Sequence, residues 1–190
     1  EQDMFALNSQ EKTQKAISEN KFQEEIIKLQ VTSGKKKFIF EKDEHPRRGL
    51  NLENLKELKT VFKKNGSVTA GNSSGINDGA AITILMSREE AERRSIKPLA
   101  KIISWATCGV EPSLMGLGPI PAVNKALKKA DWKIEDVDLF EINEAFAAQS
   151  IAVIRDLKIQ KEKVNVNGGA IALGHPIGAS GTRILVTLIH

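Results

Sequence analysis

Three segments of the chain combine small residues with polar groups that ordinary packing does not require. The first is Gly168-Gly169-Ala170-Ile171-Ala172-Leu173-Gly174-His175-Pro176-Ile177-Gly178-Ala179-Ser180-Gly181. Glycine at this density lets backbone approach a ligand closely or adopt positive φ. Pro176 brings no N–H and pushes His175 towards extended backbone. The segment therefore presents an imidazole on a stiff loop just before a helix N-terminus. A histidine so placed can serve as a general base or as a donor to an oxyanion. A tight strand-to-helix turn around a structural histidine accounts for the same residues. The second segment, Ile142-Asn143-Glu144-Ala145-Phe146-Ala147-Ala148, runs from a strand end into a helix. Ligand sites of α/β sheets gather at such strand ends, yet Asn143 equally suits an N-cap, with Glu144 complementing the helix dipole. The third, Thr69-Ala70-Gly71-Asn72-Ser73-Ser74-Gly75-Ile76-Asn77-Asp78-Gly79, suits either a flexible loop or the lining of a ligand groove. It lacks the Gly-Lys-Ser/Thr of a P-loop and is no GxGxxG after a strand. Cys108 has no basic neighbour in sequence to activate it and reads as a buried, inert thiol.

The elements that must position these residues alternate between helix and strand. Asn8 with Glu11 imitates a capping box for a helix that Asn20 can end. Ile26 to Thr32 and Phe38 to Phe40 read as strands, and Asn51 caps a helix expected to run through Phe62 on the stripe Leu52, Leu55, Leu58 and Phe62. Strands are expected over 80–86, 99–107, 137–142 and 164–167. A short helix follows Ser87, Pro119 and Pro121 open one to about Ala130, Asn143 begins one to about Leu157, and a last one follows residue 178. Such alternation implies an α/β architecture with helices layered on sheets.

Composition narrows the function classes. The 190 residues hold 28 Lys plus Arg against 24 Asp plus Glu, a net charge of +4, with 41% hydrophobic and 27% charged residues. These are globular proportions, and they exclude collagen-like, mucin-like and broadly disordered chains. Residues 1–64 carry 14 of the 28 basic residues against 11 acids, a solvated surface rather than a nucleic-acid stripe, and no Tyr interleaves Lys35-Lys36-Lys37. A single cysteine excludes an internal disulfide and a Cys-based zinc site. The stretch Val164 to Thr182 lacks charge but holds five glycines, two Asn, a His and a Pro, so it is no membrane span. Glu1 at the start and the apolar run Ile184 to Ile189 before His190 read as cut ends of a longer polypeptide.

Taken in order, Thr-Ala-Gly-Asn-x-Ser-Gly-Ile-Asn-Asp-Gly-Ala-Ala, Met-Gly-x-Gly-Pro-Ile-Pro-Ala, Asn-Glu-Ala-Phe-Ala and Gly-Gly-Ala-Ile-Ala-Leu-Gly-His-Pro-Ile-Gly-Ala-Ser-Gly make the chain resemble a thiolase over essentially its whole length. Its nearest likeness is to the acetoacetyl-CoA thiolase branch. The resemblance implies a layered αβαβα fold. Residues 1–75 would be the end of the loop domain that covers substrate, 76–97 the last part of the N-terminal half, and 98–190 a truncated C-terminal half.

It also implies an acyltransferase working through an acetyl-cysteine, with acetyl-CoA and acetoacetyl-CoA as partners, coenzyme A as substrate rather than cofactor, and no metal. His175 would activate the nucleophilic thiol and then donate to the thioester oxygen, while Asn143 would hold a water that supplies the second donor. Arg47 would meet the nucleotide end of CoA. Leu58, Ala70 and Ser74 would line the pantetheine groove, and Met115, Ala145 and Phe146 the acyl end. Both catalytic cysteines would lie outside these residues, so the 190-residue piece is expected to be inactive alone. The resemblance further implies a homo-oligomer, the family's tetramer, in cytoplasm or mitochondrial matrix, without nucleic acid or membrane. The rivals are a 3-ketoacyl-CoA thiolase of β-oxidation, a noncatalytic CoA-binding protein and a structural fragment without a stable fold.

Overall fold

The computed structural model describes residues 1–190. Helix α1 (Gln2–Ser18) passes through the middle of the molecule and buries Ala6, Ser9, Gln10, Thr13 and Ala16. These small and polar side chains let α5 (Ala147–Asp156) and α6 (Ala170–Leu173) lie close against it. Asn8 therefore does not start the helix: Asn8 and Glu11 are exposed inside it. The buried face mixes hydrogen bonds from Ser9, Gln10 and Thr13 with the contact of Ala6 on Ala147 and Ile171. Hydrophobic periodicity consequently misses its first turns.

Strands β1 (Leu29–Ser33) and β2 (Lys36–Phe40) form an antiparallel hairpin around Gly34-Lys35, with Val31 opposite Phe38. Gly34 takes φ +60°, which the two-residue turn requires. Helix α2 (Leu52–Lys56) starts as expected, with Asn51 Oδ1 accepting from Asn54 N at 2.8 Å. It ends six residues before Phe62. Thr60 pairs with Thr69, and Val61 N donates to Val68 O at 3.0 Å, so sheet-like pairing wins over a second helical turn.

Segments 80–86 and 99–107 carry no strand pairing within this chain. Their apolar side chains face out: Ile82 is 86% and Leu99 78% exposed. Between them α3 (Arg88–Arg93) is capped by Ser87, whose Oγ accepts from Glu90 N. Helix α4 (Pro119–Ala130) begins on its prolines and closes at Asp131 in left-handed conformation. Segment 137–142 forms a single parallel bridge, Phe140 to Val164. The main core gathers there, from Ile142, Val153, Leu157, Ile159 and Val164. Helix α7 (Ser180–Ile189) follows the glycine-rich loop. No helix is long and apolar enough to cross a membrane.

Candidate active site

The glycine-rich loop adopts its path because side chains would collide along it. Gly168 has φ +82°, and a Cβ there would fall 1.9 Å from Thr13 Oγ1; at Gly169 it would fall 2.3 Å from Glu144 Cδ. Gly174 (φ +96°) turns the chain out of α6, and His175 N then donates to Gly75 O at 3.0 Å. His175 pairs in parallel with Ile76, while Ser73 pairs antiparallel with Phe146. Ser74 donates twice to Ala145 O, from N and from Oγ, each at 3.1 Å. The 69–79 segment is thus laid between the His175 loop and the residues after Asn143.

His175 is held by its ring. Its Nδ1 lies 2.6 Å from Ser180 Oγ, whose hydroxyl donates to Pro176 O at 3.0 Å. One hydroxyl carries one proton, and a carbonyl can only accept, so Nδ1 must carry a hydrogen and donate to Ser180. In the neutral ring Nε2 then keeps its lone pair. Asn143 Nδ2 stands 3.3 Å from that nitrogen and donates to it. Burial, with the Arg183 guanidinium adding to it, pushes the imidazole below its ordinary range and favours this neutral form. Asn143 Oδ1 is buried with no partner in the protein. The pair therefore offers a base nitrogen and an amide beside it, with a spare acceptor suited to a bridging water.

Asn143 is not an N-cap, because α5 begins at Ala147, four residues on. Glu144 is not a first-turn residue either. It is 2% exposed and accepts from Ser9 Oγ at 2.7 Å, Asn165 Nδ2 at 2.8 Å and Ile171 N at 3.2 Å. Burial raises its carboxyl, against those hydrogen bonds. It pins the Asn143 segment to α1, to the 164–167 segment and to the glycine-rich loop at once. Asn165 completes the clamp, accepting from Ile142 N and donating to Ile142 O, both at 2.8 Å.

The remaining sequence candidates are less tightly grouped. Phe146 meets Phe62 edge to face at 5.8 Å. Leu58 lies against Gly71, next to exposed Ala70. Met115 is 72% exposed, with its neighbour Gly116 against Gln149 of α5. Arg47 stands apart on the 41–49 loop, exposed, its N–H donating to Gln10 Oε1 at 2.9 Å. Cys108 is half-buried, and neither ring nitrogen of His175 is engaged with it. Sequence reading passed over Ser180, Asn165 and Ser9. Only Ser180 carried a local signal, lying within one turn of His175 in the same glycine-rich run.

The chain is similar to known proteins over its whole length. The family described as thiolase, N-terminal domain, matches residues 1–89, and that described as thiolase, C-terminal domain, matches residues 96–190. An acetyl-CoA acetyltransferase of Syntrophomonas wolfei is 57% identical over 192 residues, covering 100% of this chain and 48% of the relative. The crystal structure of the Bacillus anthracis acetyl-CoA acetyltransferase superposes with a TM-score of 0.98 at 51% identity, over 100% of this chain and 48% of that one. Human mitochondrial 3-ketoacyl-CoA thiolase in complex with CoA follows at 0.91 and 43% identity, over 100% and 47%. The chain spans about half the length of the curated relatives it matches. Its fold is the α/β fold of these proteins, and the chain belongs to the thiolase family.

Proposed function

We propose that the protein carrying this chain is an acetyl-CoA C-acetyltransferase, which joins two acetyl-CoA molecules into acetoacetyl-CoA and free CoA, reversibly. The observation that carries this reading is the His175–Asn143 pair at 3.3 Å, with Nδ1 of the ring anchored on Ser180. In the family pattern the acyl-accepting cysteine and the acid/base cysteine lie outside these residues. His175 Nε2 takes the proton of the first thiol and keeps it, and the thiolate attacks the thioester carbon as the C–S bond to CoA breaks. The acid/base cysteine would give the departing CoA thiolate its proton, becoming the thiolate that later removes the α-proton. A covalent acetyl-enzyme splits the transfer into two steps. The protonated Nε2 then donates to the thioester oxygen of the second acetyl-CoA, and a water on Asn143 supplies the other donor. That oxyanion stabilisation makes the α-proton removable. The resulting carbanion forms the new C–C bond as the S–acyl bond to cysteine breaks. The exposed Arg47 guanidinium suits the nucleotide phosphates of CoA, with Leu58, Ala70 and Ser74 along pantetheine and Met115, Ala145 and Phe146 at the acyl end.

Acetoacetyl-CoA thiolysis by the whole protein tests this. His175→Asn is expected to lower kcat on the order of a hundredfold or more. An undiminished rate in that variant overturns the assignment. Arg47→Ala is expected to raise the KM for CoA with kcat retained. A second reading, a 3-ketoacyl-CoA thiolase of β-oxidation, is favoured by the 43% identity to the human mitochondrial enzyme. Long-chain 3-ketoacyl-CoA turned over faster than acetoacetyl-CoA would select it, and CoA binding without any thiolysis would select a noncatalytic binder. Homotetramer assembly, in cytoplasm or mitochondrial matrix, belongs to the same proposal.

A further inference from the structure

The segment carrying Asn143 and the helix that follows His175 are joined by a second buried polar contact. Arg183 Nη1 on α7 donates to Glu141 Oε1 at 3.1 Å, with the two side chains only 18% and 5% exposed. Glu141 precedes Asn143 by two residues, and Arg183 follows Ser180 by three, on the same face of α7. These links close a ring: His175 to Ser180 at 2.6 Å, Ser180 to Arg183 along one helical turn, Arg183 to Glu141 at 3.1 Å, Glu141 to Asn143 along the backbone, and Asn143 back to His175 at 3.3 Å. A buried ion pair adds little net stability compared with apolar packing, so its place in this ring asks for another role.

We propose that Arg183 is a positioning residue for the reaction, acting through Glu141 and Ser180 to set the spacing of His175 and Asn143. The inference rests on the thiolase reading for its kinetic part only. The guanidinium is itself held, since Nη1 also reaches Thr187 Oγ1 at 3.4 Å and Thr187 donates to Glu25 Oε2 at 2.9 Å. The titratable groups it acts on are Glu25 from the turn after α1, Asp43 from the 41–49 loop, Glu141 and His175; His190 acts on Glu25, His45 on Asp43 and Glu144 on Glu141. Its fixed positive charge also disfavours a proton on His175, which supports the ring as a base.

The experiment compares Arg183→Gln, Arg183→Lys and the double variant E141Q/R183Q in the whole protein. It reads acetoacetyl-CoA thiolysis against pH and the NMR titration of the His175 imidazole. Arg183→Gln is expected to lower kcat about tenfold to a hundredfold, the scale of a misplaced catalytic group, with the KM for CoA nearly unchanged. Its His175 titration and the acid limb of the rate profile are expected to move to higher pH, and Arg183→Lys to recover most of both. Should Arg183→Gln fail to fold, the double variant, which leaves no unpaired carboxylate, shows the same His175 shift and loss of rate if the inference holds. A folded variant with unmoved His175 titration and near-native kcat overturns it, as does a double variant restored to native kcat. If the unsubstituted protein cleaves no acetoacetyl-CoA, the acetyl-CoA C-acetyltransferase reading fails, and the His175 titration by itself decides whether Arg183 acts on the ring.

Discussion

Two kinds of residue surround the His175 imidazole: those proposed to touch a substrate and those that hold the ring. Ser180 is of the second kind, a hydroxyl that accepts from Nδ1 and donates to Pro176 O. Ser180→Ala removes the acceptor and frees the ring to exchange tautomers, so that Nε2 is no longer always the lone-pair nitrogen. The expected outcome is a kcat loss on the order of tenfold, with about 1 kcal/mol of stability lost. Imidazole 15N shifts would report the change, and a variant with a native tautomer pattern and native kcat would refute the assignment. Glu144 is also a holder, with three donors converging on one buried carboxyl. Replacing it by Ala would leave Ser9, Asn165 and the Ile171 N–H without their partner.

Elements meet at this site through close approach rather than through large apolar faces. Helix α1 reaches the glycine-rich loop with Ser9, Gln10 and Thr13: Gly169 N donates to Ser9 Oγ at 3.0 Å, and Gln10 Nε2 to Ile171 O at 3.3 Å. Gly168 is where that fit is tightest. Gly168→Ala combines positive φ with a Cβ 1.9 Å from Thr13 Oγ1 and 2.6 Å from Ser9 O. Both strain and overlap follow, and the expected loss is about 2–4 kcal/mol. Urea denaturation would measure it, and a midpoint equal to the native one would show that α1 can retreat at no cost. Gly34→Ala, at another positive φ but with nothing within 4 Å of its Cβ, isolates the strain from the overlap.

At the scale of the molecule, two properties stand out. Extended segments 80–86 and 99–107 present Ile82, Ile84, Leu99 and Trp105 to solvent without strand partners. Apolar surface on unpaired strands promotes association. The 190-residue chain produced by itself is expected to bind a hydrophobic dye, elute above monomer size and show no thiolysis. A dye-silent monomer would count against this.

The second property is the response to pH. Burial raises the Glu141 carboxyl from 4.5 to about 7, outweighing the Arg183 guanidinium beside it. The folded state then holds a proton that the unfolded chain releases, so this stabilisation is present below the lower value and is lost as pH rises through the upper one. The shift corresponds to about 3 kcal/mol. His175 and His45, both lowered first by burial, act oppositely and lose stability as pH falls. Comparison with Glu141→Gln isolates the carboxyl: native protein is expected to lose ground to the variant as pH rises across that window. A constant difference in urea midpoint would contradict it.

What the amino-acid sequence determined by itself was local and ordered. Asn51, Ser87 and the Pro119/Pro121 pair mark helix starts because caps and prolines act within a single turn. The glycines around His175 announce a backbone conformation that few other residues tolerate, and four motifs in sequence carry the likeness to thiolases. The end of α2 at Lys56 instead of Phe62 was decided elsewhere, by backbone pairing of Thr60 and Val61 with Val68 and Thr69. The start of α1 at Gln2 was hidden because its buried face sets polar residues among alanines, and buried polar residues acquire meaning only through their partners. Ser9 meets Glu144 across 135 residues, and Asn143 meets His175 across 32. Those contacts build the clamp on Glu144 and help close the ring through Arg183. Periodicity and capping act over a few residues, whereas a hydrogen bond between distant side chains exists only once the chain between them has folded.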